Sequence, residues 1–143
     1  MNRADLDPLL DDALQAACHF LEKNGEFFPF GVVLTADGAR RHVEGWTGTE
    51  QPPPAEVIDL LLRGFRHGAA RLEYRATALV RDVRVKDSEL GTTTDAVCVT
   101  LEHQDGTSIN CYLPYVPSEA GAPTYGEVFA DPAEGSVLSD STS

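Results

Sequence analysis

The alternation of apolar and polar positions is sharpest over residues 95–115, DAVCVTLEHQDGTSINCYLPY. Val97, Val99 and Leu101 share one parity before Gln104-Asp105-Gly106, and Ile109, Cys111 and Leu113 share one after it. A three-residue hairpin loop favours a type I turn followed by a residue in the left-handed region. Gly106 takes that conformation without a Cβ clash. The predicted register sets Leu101 opposite Ile109, Val99 opposite Cys111 and Val97 opposite Leu113, leaving one face wholly apolar. The other face pairs Cys98 with Tyr112, Thr100 with Asn110 and Glu102 with Ser108. A slip of one residue would mix the two faces, so the pattern itself selects the register. It also puts Cys98 and Cys111 on opposite faces, which argues against a disulfide between them.

Helical spacing appears twice. Over residues 5–23, Leu6, Leu9, Leu10, Leu14, Ala17, Cys18 and Leu21 recur every three or four positions. Asp5 or Asp7 offers an N-cap, Pro8 fits the first turn, and Asn24-Gly25 reads as a stop. The second helix is predicted from Pro54 to Ala70, after the run Pro52-Pro53-Pro54. Ile58, Leu61, Leu62, Phe65 and Ala69 form its apolar face, with Val57 at the margin. Asp59 and Arg63 form an i,i+4 pair on the opposite side. Gly64 and Gly68 weaken the helix and suggest close packing against a sheet.

Between the helices, residues 27–35 alternate Phe28, Phe30, Val32 and Leu34 onto one face, with Pro29 near the strand start. Asp37-Gly38 is read as a two-residue turn that places Arg41 opposite Leu34 and Val43 opposite Val32. The following polar strand, residues 40–46, suits a sheet edge and ends on Trp46. After the second helix, residues 74–86 read as a long strand. Its apolar parity changes from Ala76, Ala78 and Val80 to Val83 and Val85, which predicts either a bulge near Arg81-Asp82 or one end buried on both faces. Residues 124–130 read as a short strand or docking segment. The domain is drawn at 1–130, with 131–143 as an acidic, Ser-rich, mobile tail.

These elements run α-β-β-α-β-β-β and predict an α+β domain, a five-stranded antiparallel sheet with two helices to cover it. With each hairpin kept together and the first strand central, the strand order is 2-1-5-4-3. In element order that arrangement resembles the profilin-like and roadblock/longin sandwiches, which serve binding, sensing and scaffolding roles.

Charge changes the functional picture more than the fold. The net charge is −12, and residues 87–143 hold 10 of the 23 acidic side chains with no Lys or Arg. Nucleic acid needs a basic footprint, which the chain as a whole lacks. Seven of the 11 basic residues fall between Arg63 and Lys86, and cross-strand pairing with the acidic strands that follow is the favoured use for them. No apolar run nears the roughly 20 residues that cross a bilayer. Three cysteines without a CxxC suit a reducing cytoplasm, the expected location.

Catalytic motifs are sparse. His19, His42, His67 and His103 show no HxH or HxxxH spacing, so neither a metal nor a cofactor is expected. Glu102 and His103 alternate onto opposite faces and read as a solvated cluster near the hairpin tip. There is no GxSxG, no P-loop and no GxGxxG. The balance points away from an enzyme. The primary expectation is a small acidic protein-interaction module, immunity- or chaperone-like, holding a basic protein partner through its acidic surface. A homodimer is the other partner considered, with no nucleic acid or membrane. The alternative is a small-ligand-binding protein or enzyme with a pocket between sheet and helices. Arg41, Trp46, Arg81, Tyr115 and Tyr125 are the candidate binding residues.

Overall fold

A computed structural model describes residues 3–44, 53–86, 92–119 and 121–133. The chain is α+β: an antiparallel open sheet with one helix on each face. The elements are α1 (Arg3–Asn24), β1 (Phe30–Thr35), β2 (Arg40–Glu44), α2 (Pro54–Ala70), β3 (Tyr74–Lys86), β4 (Thr93–His103), β5 (Ser108–Ser118), β6 (Gly121–Tyr125) and β7 (Phe129–Pro132). The sheet runs β2-β1-β3-β4-β5-β6, with β7 on the same side of β5 as β6. It therefore has seven strands rather than five, and its order is not 2-1-5-4-3. β1 pairs with β3, where a profilin-like order would set it beside the last hairpin. The two extra strands share β5. β6 takes its far end at Tyr115–Ser118, and β7 takes Ile109–Tyr112.

The β4–β5 hairpin has the predicted register from Asp95↔Tyr115 to Glu102↔Ser108. The first hairpin does not. Leu34 faces Arg40 and Val32 faces His42, one residue away from expectation. The reason is the loop. Thr35 N–H donates to Ala39 O and Gly38 N–H to Thr35 O, closing the three residues Ala36-Asp37-Gly38. Gly38 (φ 94°) and Gly106 (φ 95°) hold the left-handed position in two loops of the same kind. The slip turns Val43 toward Val33 and sets His42 flat on Phe30, ring centroids 4.9 Å apart.

One core lies between α1 and the sheet. Leu6, Leu9, Ala13, Ala17 and Leu21 meet Phe30, Val32, Leu34, Val80, Val97, Val99 and Leu113. The buried stripe is centred on Ala13, with Leu10, Leu14 and Cys18 at its borders. Phe28 falls outside it and is exposed, because β1 begins only at Phe30. α1 starts at Arg3, ahead of both predicted caps, Asp5 and Asp7. Asp5 therefore sits in the first turn, and its carboxylate takes the Nε2 hydrogen of His103 at 2.8 Å. Asp105 N–H donates to His103 Nδ1 at 3.0 Å, which leaves Nε2 as the donor. Glu102 and His103 do lie on opposite faces. They are not solvated, however: they are 2% and 3% exposed.

The second, smaller core lies under α2. Val57, Leu61 and Phe65 press onto Val33 and Leu79. Val57 is central rather than marginal, and Ile58, Leu62 and Ala69 form the shoulder. Gly68 is a close approach: a Cβ there would lie 2.2 Å from Tyr74 Cε2, whereas one at Gly64 would meet nothing within 4 Å. β3 has no bulge against β4, since its register is continuous from Ala76↔His103 to Lys86↔Thr93. Its parity change reflects burial on both faces from Ala76 to Val80, followed by an edge-like outer half. No helix among the described residues is long and apolar enough to cross a membrane.

Candidate functional site

α2 covers only part of its face. It packs on β1 and β3, and β4 and β5 continue beyond it. The pleat sends Thr77, Leu79 and Arg81 of β3 to this face, with Cys98, Thr100 and Glu102 of β4 and Ser108, Asn110 and Tyr112 of β5. This is the polar face predicted for the β4–β5 hairpin. A cavity of about 380 Å³ lies between that floor and the shoulder of α2. Ile58, Leu62, Phe65 and Leu79 form its apolar wall, and Thr77, Arg81, Thr100, Glu102 and Asn110 its polar lining.

The floor is linked by hydrogen bonds. Thr100 Oγ1 donates to Asn110 Oδ1 at 2.7 Å, and Asn110 Nδ2 donates to Asp131 Oδ1 of β7 at 3.3 Å. At the other end sits Arg81. Among the described residues its Nη2 reaches two neutral atoms, Cys98 Sγ and Thr100 Oγ1, each at 3.4 Å. Its Nε is buried with no hydrogen-bond partner among the described residues. Among the described residues no carboxylate lies within ion-pair distance of this guanidinium. The expected pairing of the basic band with later acidic strands is realised by Arg84, 3.4 Å from Asp95. Arg63 and Arg71 pair instead with Asp59 and Glu73, close neighbours in the chain.

The other candidates are dispersed. Arg41 is exposed on the edge strand β2, and Trp46 lies outside the described residues, as do residues 134–143 of the expected tail 131–143, whose first two residues, Asp131 and Pro132, instead end β7. Tyr115 and Tyr125 are opposite each other on β5 and β6, but on the α1 face of the sheet. They therefore cannot line a pocket with Arg81. Tyr115 is buried, and its hydroxyl donates to Asp82 Oδ1 at 2.8 Å. Burial, with the hydrogen bond to Asp82, pushes the Tyr115 phenol well above its ordinary range. Burial likewise raises the Asp82 carboxyl. The tyrosines that looked like a contact end are instead part of the core closure.

Sequence reasoning missed the α2 shoulder as a pocket wall, and Thr77, Thr100, Glu102 and Asn110 as its floor. The signal that could have found them was present. Thr100, Glu102, Ser108 and Asn110 fall on one face of a hairpin whose other face is apolar, and only one helix remained to cover that polar face. The cysteines are all free, Cys98 and Cys111 buried and Cys18 half-buried. Burial pushes the Cys111 thiol up, which disfavours the nucleophilic thiolate.

The chain matches no protein-family model, no curated protein and no solved structure.

Proposed function

We propose that this protein binds a small molecule in the cavity between α2 and the β3–β4–β5 floor. The observation that carries the reading is the cavity's composition. An apolar wall of Ile58, Leu62, Phe65 and Leu79 faces a small set of convergent polar groups, in about 380 Å³. Ligand sites span roughly 300–1,000 Å³ and combine these two kinds of surface. The chemistry on the floor is suited to holding and orienting a ligand. Its one cation has no protein counter-charge in ion-pair range among the described residues, while Thr100 and Asn110 are fixed in a relay that ends at Asp131. A reducing cytoplasm, consistent with three free cysteines, belongs to the same reading.

The test is a small-molecule screen by thermal shift on wild type and Leu62→Trp. Leu62 is half-buried on the cavity wall, and the indole would project into the space. Hits that stabilise wild type and lose their effect in Leu62→Trp support the reading. Hits that bind both equally, or a screen without hits, count against it.

A second reading, capture of a basic protein, is favoured by a different surface. Val116, Val128 and Phe129 are exposed at 60%, 48% and 45% around β5, β6 and β7. Exposed Glu119, Glu127 and Asp131 stand among them. Apolar contact rimmed by one sign of charge suits an oppositely charged partner. Binding that weakens as salt rises, and that fails in Phe129→Ser, would support this surface. Light scattering separates it from simple dimerisation.

A further inference from the structure

We infer that the ligand of this cavity is an amphipathic monoanion, a single carboxylate on a compact apolar body, with Arg81 gripping the carboxylate. The inference rests on the reading that the cavity is a ligand site and names the class of molecule it takes.

Arg81 lines the cavity, and its charge is left uncompensated within ion-pair distance among the described residues. The two contacts it makes are long and go to neutral atoms. Its Nε hydrogen is buried without an acceptor among the described residues. Buried donors are almost always satisfied, and each exception calls for an explanation. A guanidinium presents five N–H groups in a planar fork that matches a carboxylate. An incoming carboxylate beside the guanidinium would supply the missing charge.

The number of charges follows from the surroundings. Arg81 is the cavity's only lining cation among the described residues, and Glu102 lines the same space. The chain carries −12 overall. A dianion such as a phosphate monoester would leave a net negative charge on the one guanidinium and meet twice the repulsion of a carboxylate from the protein's field. The rest of the molecule is set by the wall. Ile58, Leu62, Phe65 and Leu79 offer no hydrogen bonds, so the body that lies against them is apolar. Thr100 and Asn110 already satisfy one another and Asp131, so they fix the floor without demanding further polar groups on the ligand.

The experiment compares three probes that share one apolar body: 4-phenylbutanoate, 4-phenylbutanamide and 4-phenylbutyl phosphate. Dissociation constants are measured by calorimetry and by NMR titration on wild type, Arg81→Gln, Arg81→Lys and Leu62→Trp. Each variant is first checked by its melting curve. Wild type is expected to bind the carboxylate at least about 10-fold more tightly than the amide, since charge-assisted hydrogen bonds are roughly twice as strong as neutral ones. The preference should collapse toward unity in Arg81→Gln, be kept only partly in Arg81→Lys, and shrink with added salt. Leu62→Trp should weaken the carboxylate and the amide together. Equal binding of carboxylate and amide to wild type overturns the class of ligand while leaving the cavity as a site. Tighter binding of the phosphate overturns the single charge. Binding of no probe at millimolar concentration, or binding that Leu62→Trp does not affect, overturns the site and the inference with it.

Discussion

Arg81→Met should stabilise the unliganded protein. The stem of Arg81 is half-buried beside Leu79 and Cys98, and methionine replaces most of that apolar length while deleting the guanidinium. Two hydrogen bonds are lost, both 3.4 Å long and both to neutral atoms, so together they contribute about 1 kcal/mol at most. In return, one buried donor without a partner disappears from the folded state, Nε. Leaving such a donor unsatisfied costs about 1–3 kcal/mol, and the middle of that range gives a net gain of about 1 kcal/mol. For a chain of 143 residues that corresponds to a rise in melting temperature of about 3 °C. The assay is urea unfolding followed by circular dichroism, with wild type, Arg81→Met and Arg81→Lys side by side. Lysine keeps the charge and should not share the gain. With 4-phenylbutanoate at 100 times its wild-type dissociation constant, wild type should gain about 2.7 kcal/mol and a variant that binds about 10-fold more weakly only about 1.4 kcal/mol, enough to reverse the order. A loss of 1 kcal/mol or more in unliganded Arg81→Met would falsify the argument, because it would make Arg81 a structural residue whose needs the protein already meets.

Further measurements test the frame around the site. Gly64→Ala should stabilise α2 by about 1 kcal/mol, since nothing lies within 4 Å of the new methyl group. Gly68→Ala should lose about 1–2 kcal/mol in the same unfolding assay, because its methyl would meet the Tyr74 ring; a shift of the same sign in both would mean that α2 can back away from the sheet. Leu72 is 82% exposed with φ 59°, so Leu72→Gly should raise stability by about 1 kcal/mol in thermal melts, and no change would show that this turn relaxes in solution. Asp82 has its folded pKa raised by burial, so its contribution is fully present below the unfolded carboxylate range and is lost as pH rises through the folded value. Asp82→Asn still accepts from Tyr115 and does not titrate. It should match wild type at low pH and exceed it as pH climbs, and a pH-independent difference between the two unfolding curves would contradict the assignment.

Much of this molecule follows from local pattern. α2 spans the predicted Pro54–Ala70 and β3 the predicted Tyr74–Lys86. The β4–β5 register could be read because one face of the hairpin is wholly apolar and a slip would bury Asn110. The first hairpin lacked that safeguard. β2 is polar on both faces, so nothing in its pattern penalised a slip, and the loop hydrogen bonds decided the register. The helices were recognised while their faces were rotated. Small Ala13 and marginal Val57 sit at the centres of contact, since a helix settles where its backbone can approach the sheet most closely.

By itself, then, the sequence determined the kinds of element, most of their limits, the polar face of the central hairpin and the acidity of the second half of the chain. These depend on short-range periodicity and composition, which any window of the chain displays. Tertiary structure alone decided that β1 lies beside β3, that α1 and α2 take opposite faces, and that Arg81 is divided by the sheet from Tyr115 and Tyr125. Pairing between distant strands depends on closing long loops and filling a shared core, and no local pattern encodes which partner wins. The cavity belongs to that second category. It exists because one short helix leaves the floor beyond β3 only partly roofed, with a guanidinium beneath the open side.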